Sequence, residues 1–302
     1  MKRKQLKYII LLIVFVITLD FGFGHIYEFL YLTEKSQKQD RLIHSAIGTH
    51  EEVLVFGSSR AYHHYNPEII EEKLNLTCFN VGYGGQNIYY HLALLKEAIK
   101  RKKPQIAILD LIDIDFEDTG KKHDKEKLSV LLPFVNKSNV YRETVLLRGK
   151  KEKIKLFSSI YPFNSKLLYI LRNNLTSQRS DTKGFFGLSR VWEKPIETKI
   201  NKNFTPSNDK LEALDEFITL CQTNEIMIKI FISPHYAKFS SKNGYDYIAE
   251  YIQKNHDLEI TNLSASKKYL NATHLFSDPY HLNKEGADMY SKEISEIINK
   301  SL

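Results

Sequence analysis

Apolar runs of four to seven residues alternate with amphipathic stretches over most of the chain. Val53-Leu-Val-Phe56 stops at Gly57-Ser58-Ser59, and the acidic, leucine-spaced segment Pro67 to Leu74 follows as a helix. A second strand, Leu76 to Val81, ends in the cluster Gly82, Gly84, Gly85, and a helix runs from Ile88 to Lys100. Pro104 closes that helix before Ile106 to Ile114, which is apolar apart from Asp110 and Asp113 and suits a buried parallel strand. After a long interruption the alternation resumes: a helix at 208–224, a strand Ile226 to Ile232, a helix Tyr245 to Lys254, and a short edge strand Leu258 to Leu263. A last helix starts near Asn283 with Ala287, Tyr290, Ile294 and Ile298 at helical spacing. This order predicts an α/β fold, a three-layer doubly wound parallel sheet with right-handed crossovers.

Two regions fall outside the alternation. Residues 1–7 carry Lys2, Arg3, Lys4 and Lys7, and from Tyr8 to Leu19 every residue is apolar except Thr18. With Asp20 tolerated near the far interface, the stretch is long enough to span a bilayer. The basic end then stays in the cytoplasm and the rest of the chain is exported. A cleaved signal peptide is the rival, and an uncleaved anchor over residues 1–31 is the reading preferred. Residues 32–48 read as a polar juxtamembrane stalk, and 49–302 as the catalytic domain. Within that domain, residues 119–205 form a largely helical insertion with 19 Lys and Arg against 7 Asp and Glu. An insertion of that length between core elements is usually a lid or a binding surface. Its charge suits anionic lipid or an acidic glycan, and its aromatics, Trp192 among them, could stack on sugars. The alternative is a solvated basic cap with the aromatics packed beneath it.

The chemistry concentrates at two places far apart in the chain. A strand that stops at glycine before a helix presents Ser59 at the carboxyl edge of a sheet, where open α/β folds bind ligands. Gly-Ser-Ser is also an ordinary turn. About 220 residues on, Ser277-Asp278-Pro279-Tyr280-His281 supplies what a serine nucleophile needs: a base, and a carboxylate to orient it. A three-residue spacing in a proline-containing turn lets Asp278 reach the Nδ1 side of His281 and leaves Nε2 for Ser59. Arg60, Gln86, Asn87, Asp113, His235 and Tyr236 stand near these strand ends as candidate substrate contacts, the last two expected beside the end of the first strand. For Asp113 and Asp115, capping the strand end beside solvent is the competing reading.

Gly57-Ser58-Ser59, Asn80-Val-Gly-Tyr-Gly-Gly85 and Asp278-x-x-His281 together resemble the first, second and fifth blocks of the SGNH (GDSL-like) hydrolases, over about residues 50–302. The resemblance implies Ser59 as nucleophile, His281 as base, Asp278 as its orienter, and the N–H groups of Ser59 and Gly85 in an oxyanion hole. Ser58 stands where many members carry aspartate, a change expected to leave the chemistry untouched. The third block departs from the pattern: Ile108-Leu-Asp-Leu-Ile-Asp-Ile-Asp-Phe116 has no asparagine, and ionised aspartates cannot donate in its place. The G-x-S-x-G elbow of the α/β-hydrolases is absent, since Ala61 holds its last position. Membrane-anchored members of the resembled family act on cell-surface polymers. The expectation is therefore a serine esterase or O-acyltransferase taking a carbohydrate ester or acyl donor, with an acyl-supplying membrane protein as a conceivable partner. A non-catalytic glycan-binding protein of the same fold is the alternative.

Composition changes this picture little. The 302 residues, 42% hydrophobic and +7 in net charge, suit one substantial core, and export argues against nucleic acid as a partner. No metal motif or phosphate-cradling loop occurs and no cofactor is expected, and Cys78 and Cys221 read as two buried free thiols.

Overall fold

The computed structural model describes residues 3–34, 36–118, 123–176, 182–193, 203–236 and 243–302. In chain order its elements are α1 (Arg3–Leu32), α2 (Gln37–Ile43), β1 (Val53–Phe56), α3 (Ser59–His64), α4 (Pro67–Leu74), β2 (Cys78–Asn80), α5 (Ile88–Arg101) and β3 (Ile106–Asp110). Then come α6 (His123–Glu126), α7 (Asn139–Leu146), α8 (Glu152–Lys155), α9 (Leu167–Thr176), α10 (Asn208–Thr223), β4 (Met227–Ile232), α11 (Gly244–His256) and β5 (Ile260–Asn262). The chain ends with α12 (Lys267–Leu270), β6 (Phe276–Asp278), β7 (His281–Leu282) and α13 (Lys284–Asn299). The chain divides into two compact units, Met1–Ile43 with Leu128–Ser180, and His44–Lys127 with Asp181–Leu302.

The second unit is the α/β domain. Its main sheet has five described strands, all parallel in the order β2-β1-β3-β4-β5, with Val55 beside Asn80 on one flank and Ile108 on the other. Alternation along each strand sorts the side chains. Val53, Val55, Ile106 and Ile108 join Ile70, Leu74, Tyr290 and Ile294 of α4 and α13 in one apolar layer. The intervening Phe56 meets Phe217 of α10 edge to face at 5.2 Å. Helices on both faces explain why the strands read as continuous apolar runs. The direction of winding reverses at β1, and the crevice between the carboxyl ends of β1 and β3 is where such sheets hold ligands.

Three local features differ from the sequence reading. Strand β3 ends at Asp110, four residues early, because the chain turns into a 3-10 helix at Asp113–Phe116 whose Ile114 N–H is taken by Asp113 Oδ1 at 2.9 Å. The turn after β1 becomes helix α3 beginning at Ser59 itself. Strand β4 lies beside β3, so its end is separated from that of β1 by a whole strand and is not next to it, as the sequence reading had it. Trp192 is 6% exposed and packs on Tyr236 at 5.5 Å, which removes it as a sugar platform. Cys78 and Cys221 are buried and free.

The first unit contains α1, long and apolar enough to cross a membrane. The segment read as a stalk includes α2, with Gln39, Arg41 and Leu42 buried. Helices α7, α8 and α9 complete the unit.

Candidate active site

Glycine at position 57 makes the turn out of β1 possible. Its φ of +136° belongs to the region other residues avoid, and a Cβ there would lie 2.7 Å from Asp110 O and 2.8 Å from Ala61 Cβ. The chain can therefore pass tightly over the end of β3 and place Ser59 at the start of α3. As the first helical residue, Ser59 has no carbonyl one turn back to take its N–H.

The opposite side of the site is the tight antiparallel pair β6–β7, in which Asp278 and His281 face each other. Asp278 Oδ1 accepts the N–H groups of Tyr280 at 2.8 Å and His281 at 3.0 Å, which fixes the carboxylate. His281 Nδ1 lies 2.9 Å from Asp278 Oδ2, and its Nε2 lies 2.8 Å from Ser59 Oγ. A carboxylate only accepts, so Nδ1 carries the hydrogen and donates it, leaving the Nε2 lone pair to accept the Ser59 O–H. Burial works against ionising Asp278, but the hydrogen bond and charge of His281 and the two backbone N–H groups hold its carboxyl below the ordinary value. The two chain segments named from sequence thus converge through one continuous hydrogen-bonded line.

A buried polar network lies beneath them. Leu282 N–H donates to His64 Nε2 at 2.9 Å, so His64 carries its hydrogen on Nδ1, 3.0 Å from Ser233 Oγ. Burial, reinforced by the neighbouring histidines and Arg60, keeps the His64 pKa well below its usual value, in agreement with a neutral ring that accepts from a backbone amide. Asp110 receives the Tyr65 hydroxyl at 2.7 Å and faces Arg60 Nε at 3.3 Å. Arg60 also donates to Leu111 O and, at 2.8 Å, to His235 Nδ1. Burial and the adjacent guanidinium push His235 down to about 3, which keeps the ring neutral; its Nδ1 lies between the Arg60 guanidinium, which can only donate, and Ser233 O at 3.0 Å, which can only accept. The network ties the residue after Ser59 and the residue after His281 to the same strand ends. His64, Ser233, Asp110 and Tyr65 were not singled out for the site from sequence. The available signals were weak: the adjacent histidines His63 and His64, and a charged residue closing an apolar strand.

A cavity of about 240 Å³ opens beside Ser59 and His281. Of the residues named as substrate contacts, Arg60, Asp113 and His235 line it, joined by Ser58, Gly85, Asp115, Lys127, Tyr245 and Tyr280. Asp113 is 1% exposed, which excludes a solvent-side cap. Burial raises the Asp115 carboxyl to about 7 against the opposing pull of Lys127, Arg60 and Lys210. Three expected substrate contacts do not line this cavity. Gln86 Nε2 is bound to Lys127 O at 3.1 Å and Asn87 Nδ2 to Asp124 O at 3.1 Å, so both hold the segment that brings Lys127 in. Tyr236 is buried against Phe276 with its hydroxyl donated to Tyr269 O at 3.2 Å. Ser58 also departs from expectation: its Oγ accepts the Gly85 N–H at 3.1 Å, so the residue expected to be neutral to the chemistry occupies a donor assigned to the oxyanion hole.

Neither a scan against protein-family models nor a search of curated proteins finds a match. Among solved structures, a protein described as lipolytic and of the G-D-S-L family from Desulfitobacterium hafniense DCB-2 is similar at 9% identity, with 81% of this chain and 98% of that one covered and a TM-score of 0.44. The psychrotrophic esterase EstA from Pseudoalteromonas sp. is similar at 11% identity, covering 82% and 96%, with a TM-score of 0.43. A GDSL-like lipase from Bacteroides thetaiotaomicron is similar at 11% identity, covering 83% and 88%, at 0.39. At these values the chemistry rests on the geometry of this chain alone.

Proposed function

We propose that the protein is a serine acyl-enzyme of the SGNH type, an esterase or O-acyltransferase, with Ser59 as nucleophile, His281 as base and Asp278 as its orienter. The observation that carries this reading is the line Ser59 Oγ to His281 Nε2 at 2.8 Å and His281 Nδ1 to Asp278 at 2.9 Å, open to a cavity. In the first half-reaction Ser59 Oγ bonds to the acyl carbonyl carbon while its proton passes to His281 Nε2. Asp278 steadies the imidazolium. As the tetrahedral intermediate collapses, the bond to the alkoxy oxygen breaks and Nε2 returns the proton to the leaving alcohol. The Ser59 N–H faces the developing oxyanion, and the Gly85 N–H joins it once Ser58 Oγ turns away. In the second half-reaction water regenerates the serine, giving an esterase, or a sugar hydroxyl does, giving a transferase. With α1 as an uncleaved anchor, the substrate class is an ester of cell-envelope or extracellular carbohydrate, and an acyl-supplying membrane protein fits the transferase case.

A second reading, a glycan-binding protein of the same fold, is favoured by two observations: Gly85 N–H is already engaged by Ser58, and no asparagine follows β3. Fluorophosphonate labelling separates the two. Labelling of the wild type that disappears in Ser59→Ala and in His281→Ala supports the enzyme. A folded wild type that takes no label and turns over no p-nitrophenyl acetate supports the binding protein.

A further inference from the structure

The first unit carries a surface that the proposed chemistry does not use. From Leu6 to Leu19 every apolar side chain of α1 is at least 41% exposed, as expected of a helix meant for lipid. From Asp20 one face of the helix changes, while Phe21, Phe23, Ile26 and Phe29 stay 49% to 66% exposed on the rest of it. Asp20 Oδ1 accepts the Ser158 hydroxyl at 2.5 Å and Oδ2 accepts the Ser159 N–H at 2.6 Å, while Gly24 leaves the space that Ser159 fills. Further along α1, Glu28 pairs with Lys137 at 2.9 Å, Tyr31 meets Phe134 edge to face at 5.8 Å, and Leu30 O accepts Asn174 Nδ2 at 2.9 Å. The outer half of α1 is thus built into the segment Leu128–Thr176.

The helix rise places that junction. From Arg3 to Asp20 the rise is about 25 Å at about 1.5 Å per residue, against a hydrocarbon core about 30 Å thick. With Arg3, Lys4 and Lys7 in one headgroup layer, Asp20 lies about 20 Å beyond Lys7, within the outer leaflet, and so does the loop bonded to it. A carboxylate at that depth needs hydrogen-bond donors, and Ser158 and Ser159 supply them. The residue next to Ser158 is Phe157, 83% exposed, and Ile154 one turn back is 71% exposed. On α9, Ile170 and Asn173 are buried while Leu168 and Leu175 are 83% and 86% exposed, with Leu171 between them on the same face. Lys150, Lys151 and Lys153 are exposed around α8. Large uncovered aliphatic and aromatic groups rimmed by lysine, and continuous with a bilayer helix, suit an interface of acyl chains and anionic headgroups.

We infer that the segment Leu128–Thr176 is a membrane collar: locked onto α1 at Asp20, it seats Ile154, Phe157, Leu168 and Leu175 in the outer leaflet of the bilayer that α1 crosses. The inference rests on α1 being a membrane anchor, and the test separates the two.

Full-length protein is reconstituted in vesicles of equal phosphatidylcholine and phosphatidylglycerol. Bimane is placed on single thiols at Phe157→Cys, Leu175→Cys and, within the anchor, Ile13→Cys; Cys78 and Cys221 are buried. Acyl-chain nitroxide lipids are then added as quenchers, with bimane-glutathione in the same vesicles as the reference. The collar requires emission at positions 157 and 175 to fall by about half, as at 13. Quenching at 13 with reference-level emission at 157 and 175 overturns the collar and leaves the anchor standing. Reference-level emission at all three overturns both. Shielding of 157 and 175 from nitroxide lipid and from aqueous iodide alike means a protein covers the surface, and also overturns the collar.

Discussion

Replacing Ser58 by alanine removes a hydroxyl without touching Ser59, His281 or Asp278, and its consequence runs opposite to that of most active-site truncations. The Gly85 N–H is 3.1 Å from Ser58 Oγ, and for it to serve an oxyanion that bond must first be given up. A neutral hydrogen bond of this kind contributes a net ~1 kcal/mol, and near 25 °C that corresponds to about a fivefold difference in rate. Ser58→Ala is therefore expected to raise kcat for p-nitrophenyl acetate about fivefold, because the donor is free before the carbonyl arrives. The stability cost of losing the same bond is likewise about 1 kcal/mol, with water replacing the lost acceptor at the exposed Gly85. Initial rates at saturating ester, with urea midpoints for both proteins, give the two numbers. A tenfold or greater fall in kcat with an unchanged midpoint would refute the reasoning, since the hydroxyl itself would then be assisting the reaction and Gly85 would not be a donor in the hole.

Other consequences follow from the same geometry. Asp278→Asn keeps the shape but turns a carboxylate that accepts from Nδ1 into an amide that can present N–H, favouring the wrong tautomer; kcat should fall by about 10³ to 10⁴, with KM little changed. Because the folded Asp278 carboxyl lies below its ordinary value of 3.8, its stabilising contribution is present above that value and lost as pH falls through the lower folded one; acid unfolding of Asp278→Asn should lack that component. Asp115 has the opposite sign. Its folded carboxyl at about 7 holds a proton that the unfolded chain releases near 3.8, so stability is greatest below about 4 and declines as pH rises through 7. Urea midpoints from pH 4 to 8 should show that decline in the wild type and a flatter profile in Asp115→Asn. Finally, His64→Ala strands the Leu282 N–H in a buried site; a loss of about 1 to 3 kcal/mol in urea unfolding, with slower fluorophosphonate labelling of Ser59, is expected, while His64→Gln, which keeps an acceptor, should lose less.

How much of this was legible in the chain differs by kind of information. The sheet was readable because parallel strands covered on both faces must be apolar throughout, and Val53–Phe56, Ile106–Asp110 and Met227–Ile232 are almost wholly so. The pairing of Asp278 with His281 was readable because it is local, three residues in one turn. Its meeting with Ser59, 222 residues away, was expected from a serine's need for a base and from the family resemblance. Lateral order was not readable. Nothing in Ile226 to Ile232 says which strand it will lie beside, and a placement next to β1 was wrong because β3 intervenes.

The polar network shows why such information is missing. His64, Ser233, Asp110 and Arg60 come from two strand ends and one helix, and each sits in a sequence context with an innocent explanation: a doubled histidine, a serine before proline, an acidic residue closing a strand, a basic residue after a turn. What makes them partners is that all are buried within hydrogen-bonding reach of one another, where an unmatched polar group is costly and a matched set fixes position. The same reasoning applies to Gln86 and Asn87. Their amides looked available at the mouth of a glycine turn, yet a side-chain amide that reaches a neighbouring carbonyl in a buried spot will bind it, and both bind the segment just ahead of the first unit's Leu128. Sequence can name residues able to do chemistry at a strand end; whether each faces the substrate or braces the wall behind it depends on which backbone group the fold brings alongside, and that is decided by contacts distant in the chain.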